Sequence, residues 1–142
     1  MDLEKYTEKS QQAVLRAQRL AEDHNHQEIE PAHLLYALLE ENQGTVSAVV
    51  TRIAGSTEGI RAEVWKELED HPKVYGGNLR VGMNRQTADV LSAAERYAKG
   101  MGDEYVSTEH LLLGLIESPL GGMLKSYGLT KDAVLGALKE VR

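Results

Sequence analysis

The chain has 142 residues, a formal net charge of −6 and no cysteine. This length predicts one domain, which buries roughly two thirds of the surface of its unfolded chain. The acidic balance argues against nucleic acid or an anionic membrane as a partner, because both attract basic patches or stripes. Without cysteine there are no disulfides, thiol nucleophiles or cysteine metal sites, which is compatible with a reducing compartment.

The opening segment M-D-L-E-K-Y is charged and lacks the apolar core of a signal peptide. No apolar run approaches the roughly 18 residues that a membrane span requires. We therefore expect a cytoplasmic protein. Between Ser, Thr, Gly and Pro residues, apolar side chains recur at spacings of three and four, which predicts helices throughout.

The first helix is predicted to begin after Thr7, a good N-cap residue, and to end near Asp23. Its buried stripe has helical spacing and comprises Ala13, Val14, Ala17, Leu20 and Ala21. The second helix is predicted after Glu30, with Pro31 at its first position. It is apolar around most of its circumference, so it belongs in the interior, as does its counterpart after Ser107. These two helices supply the predicted centre of the core: Leu34, Leu35, Leu38, Leu39, Leu111, Leu112, Leu115 and Ile116.

A shorter helix at about 45–54 and a helix after Ser56 complete the first half of the chain. The segment 71–83 follows, with proline, three glycines and no helical stripe, and we interpret it as an ordered or mobile linker. Its glycines at 76, 77 and 82 do not form a phosphate loop, because no G-x-x-x-x-G-K-[ST] motif is present.

The second half of the chain repeats the first. Positions 29–40 read I-E-P-A-H-L-L-Y-A-L-L-E and positions 106–117 read V-S-T-E-H-L-L-L-G-L-I-E, an offset of 77 residues without a gap. This register extends back to Tyr6 and Met83. It predicts helices from Asn84 to about Lys99, after Ser107, at about 119–127 and after Thr130. Such periodic self-similarity is typical of a tandem duplication.

The predicted fold is therefore all-α, a tandem duplication of a four-helix repeat with pseudo-twofold symmetry. About eight helices form one globular domain over residues 1–142. Its predicted parts are repeat one at 1–70, the inter-repeat linker at 71–83 and repeat two at 84–142.

The histidines suggest structure more than chemistry. His24 and His26 form a pair without a third ligand nearby, which favours solvated surface over a metal site. His33 and His110 occupy the same position in both repeats, so we predict a packing role for them. No nucleophile, base and orienting acid stand at a recognisable spacing, and we therefore predict a domain without catalytic activity.

Two similar halves form a groove at their junction, and we look for function where the repeats differ. Thr7 aligns with Asn84, His26 with Asp103, and Ala32 with Glu109. Asp103 and Glu109 predict an acidic rim that suits extended polypeptides carrying Lys or Arg among apolar side chains. Helix capping and compensation of the helix dipole are the alternative roles of these residues.

Four motifs together resemble one family: T-E-K-S-Q-Q-A-V, E-P-A-H-L-L, H-P-K-V and G-D-E-Y-V-S-T-E-H-L-L-L-G-L. The sequence is similar to the N-terminal domain of the Clp AAA+ chaperones, and M-D-L-E-K-Y-T and P-K-V are most like the ClpB disaggregase branch. The resemblance implies a domain that captures unfolded or aggregated polypeptides. Two AAA+ ATPase modules, absent here, would form a hexameric ring and thread the polypeptide. It further implies that ATP and magnesium belong to those modules, so we expect no cofactor here and an isolated domain that is a monomer.

The expected polypeptide-binding residues are Thr7, Val90, Ala93, Asp103, Glu109 and His110. Ala93 and His110 depart from an apolar groove, since bulky apolar residues there would strengthen it. The alternative function is docking of an adaptor protein in a ClpC- or ClpA-type unfoldase that feeds a protease. A free-standing interaction scaffold is a third possibility.

Overall fold

The computed structural model describes residues 3–76 and 80–142 and confirms an all-α fold. In these ranges the helices are α1 Glu8–Asp23, α2 Pro31–Glu40, α3 Thr45–Ala54, α4 Glu58–Glu69, α5 Arg85–Gly100, α6 Thr108–Ile116, α7 Gly121–Ser126 and α8 Lys131–Val141. Two short strands, β1 Glu28–Ile29 and β2 Gly82–Met83, precede α2 and α5. Met1, Asp2 and positions 77–79 of the predicted linker, with its Gly77, lie outside the described residues.

Capping side chains determine where several helices begin. The side chains of Thr7, Asn84 and Thr130 each accept a hydrogen bond from the backbone N–H three residues later. Each of them thereby satisfies one of the free N–H groups of the first helical turn.

Three helices begin one or two residues later than predicted: α4, α7 and α5, in which Asn84 is the cap and not the first helical residue. The fourth helix starts after Thr57 rather than after Ser56, whose hydroxyl accepts from the N–H of Glu58 at 3.3 Å. α7 is shorter than the predicted 119–127. The Ser118 hydroxyl accepts from the N–H of Leu120 at 3.1 Å, which holds the preceding residues in a turn.

Short extended segments of the two repeats pair with each other, a feature that the helical patterns did not predict. Ile29 of β1 lies opposite Met83 of β2 in a parallel pair, and Tyr6 forms a parallel bridge with Val106. Both pairs join equivalent positions, because Tyr6 aligns with Met83 and Ile29 with Val106 at the offset of 77 residues. Part of the segment predicted as a linker is therefore paired with repeat one.

Two buried hydroxyls reinforce this pairing, each by a hydrogen bond to a carbonyl of the other repeat. The Ser10 hydroxyl donates to the carbonyl of Val106 at 2.7 Å, and the Thr87 hydroxyl donates to the carbonyl of Ile29 at 2.8 Å. Ser10 and Thr87 are themselves equivalent positions, so the pseudo-twofold relation extends to individual hydrogen bonds. Buried polar groups of this kind need such partners.

The core follows the prediction in its main part. α1 packs on α2, α5 packs on α6, and α3 against α8 joins the halves. The predicted central leucines are all buried, whereas the predicted core residues Leu20 and Ile116 are only partly buried. Contact between α5 and α6 is especially close: a Cβ added to Gly114 would lie 2.5 Å from the carbonyl oxygen of Val90. The α6 backbone therefore rests directly on the α5 backbone.

Candidate polypeptide-binding grooves and the acidic pair

A groove of about 440 Å³ lies between α1, α2 and the start of α3, and it reaches the first turn of α6. Its buried apolar lining comprises Ala13, Ala37, Leu38 and Val46. Lys9, Arg16, Glu41 and Glu109 add charged side chains to its lining. We call this surface groove 1. An apolar floor with a few charged groups around it is typical of ligand-binding sites.

A second groove, of about 340 Å³, lies between α5 and α6. We call it groove 2. It is the repeat equivalent of groove 1: Gln86, Val90, Ala93 and Gly114 stand where groove 1 has Lys9, Ala13, Arg16 and Ala37. The duplication has thus produced two related grooves with different linings.

The structure distributes the predicted binding residues over three places. Thr7 and Glu109 share groove 1, while Val90 and Ala93 line groove 2. Asp103 lines a third hollow of about 550 Å³. His110 has no exposed surface and lines none of these three. Their role in binding stays a prediction.

Thr7 has a structural task in addition to its place in groove 1. Its hydroxyl oxygen accepts from the N–H of Ser10 at 3.2 Å and caps α1. This is the capping role that the sequence left open as an alternative.

Asp103 and Glu109, which we call the acidic pair, are bridged by one cation. The Arg142 guanidinium donates through Nη2 to Asp103 Oδ2 at 2.6 Å and through Nε to Glu109 Oε2 at 2.9 Å. The hydrogen bond from Arg142, with a further one from His110, holds the pKa of the Asp103 carboxyl below its ordinary value. The predicted acidic rim is therefore partly neutralised by the chain itself.

His110 connects the acidic pair to the interior. Its Nδ1 accepts from the backbone N–H of Ser107 at 2.8 Å, so Nε2 carries the proton that reaches Asp103 Oδ2 at 2.8 Å. Asp103 consequently serves as the acceptor for a fully buried imidazole. This contact confirms the predicted structural role of His110.

Repeat one solves the same problem with a histidine. His33 accepts from the backbone N–H of Glu30 at 2.8 Å through Nδ1, and its Nε2 lies 2.8 Å from His26 Nδ1. His26 is only 5% exposed, so the prediction that it lies on solvated surface was wrong. It turns inward because the buried Nε2–H of His33 needs an acceptor. His26 provides that acceptor, as Asp103 does for His110.

Four histidines gather around this contact. The rings of His24 and His71 lie 5.9 and 5.5 Å from that of His26, and His71 Nε2 lies 2.5 Å from Glu30 Oε2. Burial lowers the pKa of His33 to about 3 and also lowers the pKa of His26. Among the described residues, no group of three or more His, Asp or Glu side chains has the geometry of a metal site.

Sequence reasoning missed Arg142 as a member of the site. Its contacts with Glu109 and Asp103 span 33 and 39 residues, and such distant pairs leave no periodic signal. A charge near the end of the last helical stripe gave no indication of its partner.

The geometry defines an all-α domain built from two interlocked repeats, with related surface grooves. The family model of the Clp repeat (R) N-terminal domain matches residues 5–127, and the chain belongs to this family. None of the helices in the described ranges combines the length and apolar character that a membrane crossing needs.

Known proteins agree with this assignment. The chaperone protein ClpB of Nitratidesulfovibrio vulgaris is 36% identical over 149 aligned residues, which cover 100% of this chain and 17% of that protein. The chain thus spans about a sixth of the length of such curated relatives, and the similarity to their N-terminal regions confirms the expected resemblance.

Solved structures share the fold. The Hsp104 N-terminal domain from Candida albicans matches with a TM-score of 0.82 at 21% identity, covering 98% of this chain and 94% of that one. A ClpV N-domain in complex with a VipB peptide matches with a TM-score of 0.66 at 14% identity, covering 100% and 84%.

Proposed function

We propose that this chain is the non-catalytic polypeptide-binding domain of a ClpB-type, ATP-dependent protein disaggregase. It would capture unfolded or aggregated protein in groove 1 and present it to AAA+ modules elsewhere in the parent protein. The observation that carries the proposal is groove 1 itself, an open apolar channel of about 440 Å³ with charged side chains in its lining. The names of the ClpB relatives and the peptide bound to a related ClpV N-domain support it.

Groove 1 suits an extended segment in which apolar and basic side chains alternate. Ala13, Ala37, Leu38 and Val46 offer apolar surface, which rewards burial of apolar side chains. Glu109 at the α6 end of the groove offers a carboxylate to a basic side chain. The segment would therefore lie along α1 and α2 and end at the acidic pair.

In the parent protein, ATP and magnesium would be bound by the AAA+ modules, and this domain would hold no cofactor. The isolated domain would be a monomer and the parent a cytoplasmic homohexamer.

The grooves can be distinguished with two matched substitutions. Gln12→Trp places a large side chain over groove 1, and Gln86→Trp makes the same change at groove 2; both positions are exposed and line their grooves. We expect Gln12→Trp to weaken binding of a permanently unfolded polypeptide by roughly tenfold or more. The indole would block groove 1, and the polypeptide would lose its contacts with the apolar lining. Gln86→Trp should bind like the original chain. Loss of binding with Gln86→Trp alone would move the site to groove 2, and unchanged binding with both would refute the proposal.

Docking of an adaptor protein is the second candidate, favoured by the ClpV N-domain that binds a defined peptide. A disaggregase domain should bind many unrelated unfolded chains with similar affinity. An adaptor-docking domain should bind one folded partner much more tightly than any unfolded chain. Affinities measured for a panel of unfolded proteins distinguish the two.

A further inference from the structure

We infer that Arg142 competes with bound polypeptides for the acidic pair. Its guanidinium occupies the place that a basic side chain of a bound polypeptide would take. This inference rests on the proposed function. It assigns to Arg142, which directly follows α8, a role in setting which polypeptides the domain accepts.

The contact has the geometry of arginine recognition. One guanidinium reaches two carboxylates from different elements, Asp103 in the loop before α6 and Glu109 in the first turn of α6. Arginine is suited to such sites because its planar group presents several donors in a fixed arrangement. An arginine of a bound segment would make the same two contacts.

The burial of the three side chains shows which of them can leave. The Glu109 side chain is 8% exposed, whereas those of Arg142 and Asp103 are 38% and 27% exposed. A carboxylate as buried as that of Glu109 is costly without a cation. Within the described ranges, the ion pairs that Asp103 and Glu109 form with Lys or Arg are those to Arg142. If Arg142 swings into solvent, the acidic pair therefore favours another cation in its place.

The fold itself does not require both carboxylates. In repeat one the equivalent positions are His26 and Ala32, and His26 alone provides the contact to His33 that Asp103 provides to His110. Hydrogen bonding to the buried histidine explains Asp103 but not Glu109, whose structural role is to complement the dipole in the first turn of α6. A cation-binding role explains why repeat two has the second carboxylate at the edge of groove 1.

Competition of this kind lowers the affinity for basic segments by the fraction of time that Arg142 leaves the pair free. Neutral segments do not need the pair and should bind independently of Arg142. The difference between these two kinds of segment is the signature of the competitor.

The test compares Arg142→Gln with the original chain. The probes are two otherwise identical unstructured peptides of apolar residues, one with a single arginine and one with citrulline, its neutral isostere, at that position. We expect Arg142→Gln to bind the arginine peptide about fivefold more tightly, the scale of a partly exposed ion pair, and to bind the citrulline peptide unchanged. Arg142→Lys, which keeps the charge but loses the planar group, should fall in between.

Each other outcome has a distinct meaning. If both proteins bind the peptides and Arg142→Gln gains no affinity for the arginine peptide, the competitor is refuted while the proposed function stands. If neither protein binds either peptide, both are refuted. If the substitution unfolds the domain, the Nε–H resonance of Arg142 in the original chain decides. This resonance must shift when the arginine peptide is added and stay in place when the citrulline peptide is added. Any other pattern overturns the inference.

Discussion

Gly114→Ala tests the closest helix contact in the molecule. The added Cβ would lie 2.5 Å from the Val90 carbonyl oxygen and 3.2 Å from Val90 Cγ1. The oxygen belongs to the α5 backbone and cannot turn aside like a side chain, so α5 and α6 must separate. Overpacking of this kind costs typically about 1–3 kcal/mol, and the better helix propensity of alanine returns up to about 1 kcal/mol. We expect a net loss of about 1–2 kcal/mol in the free energy of unfolding.

Gly136→Ala is the matched control. Gly136 is exposed in α8, and a Cβ there would meet nothing within 4 Å. The same substitution should therefore stabilise the domain by about 0.5–1 kcal/mol through helix propensity alone. Urea unfolding followed by circular dichroism measures both changes from the shift of the midpoint at constant slope. If Gly114→Ala were as stable as Gly136→Ala, the close α5–α6 contact would be wrong.

Three further predictions concern the histidines, the cap and the acidic pair. Burial lowers the pKa of His33 and His26, so the folded state binds fewer protons than the unfolded one, and stability present above about pH 6.5 is lost on acidification. Urea unfolding at pH 7 and 5.5 should differ by about 1.3 kcal/mol from His33 alone, with a further loss in the same direction from His26, and equal midpoints would contradict this reasoning. Thr7→Ala removes the α1 cap and should cost about 1 kcal/mol in the same assay, whereas an unchanged midpoint would exclude a capping role. Asp103→Asn with Glu109→Gln keeps an acceptor for the buried histidine while removing both charges, and should weaken binding of basic unfolded polypeptides; unchanged affinity at unchanged stability would remove these residues from the site.

Much of the fold could be predicted from the sequence because its signals are local. The caps Thr7 and Thr130 and the leucine-rich stripes of α2 and α6 lie within a few residues of the helices that they determine. The repeat gave a second reading of each element at an offset of 77 residues. Local order and buried faces were therefore predicted well.

The strands could not be predicted in the same way. β1 and β2 are two residues each, too short for the alternation that identifies a strand. Their stability comes from the reciprocal pairing of distant segments and from the buried hydroxyls of Ser10 and Thr87. The sequence repeat contained this symmetry, but not which segments pair.

The candidate site was predicted only in part for a related reason. Comparing the repeats selected Thr7 and Glu109, which share groove 1, but it also selected Asp103, whose contact with His110 is structural. The repeats can differ at the equivalent positions His26 and Asp103, because an aspartate and a histidine can both accept a hydrogen bond from a buried imidazole. Difference between the copies therefore marks exchangeable structural solutions as well as function.

The measurement that tests the central proposal most directly is a map of backbone amide shifts while the domain is titrated with an unfolded polypeptide. Capture in groove 1 predicts saturating shifts along the groove-facing parts of α1 and α2, at the start of α3 and at the first turn of α6 around Glu109. Shifts confined to groove 2 or to α4 and α7, or no shifts at all, would contradict it.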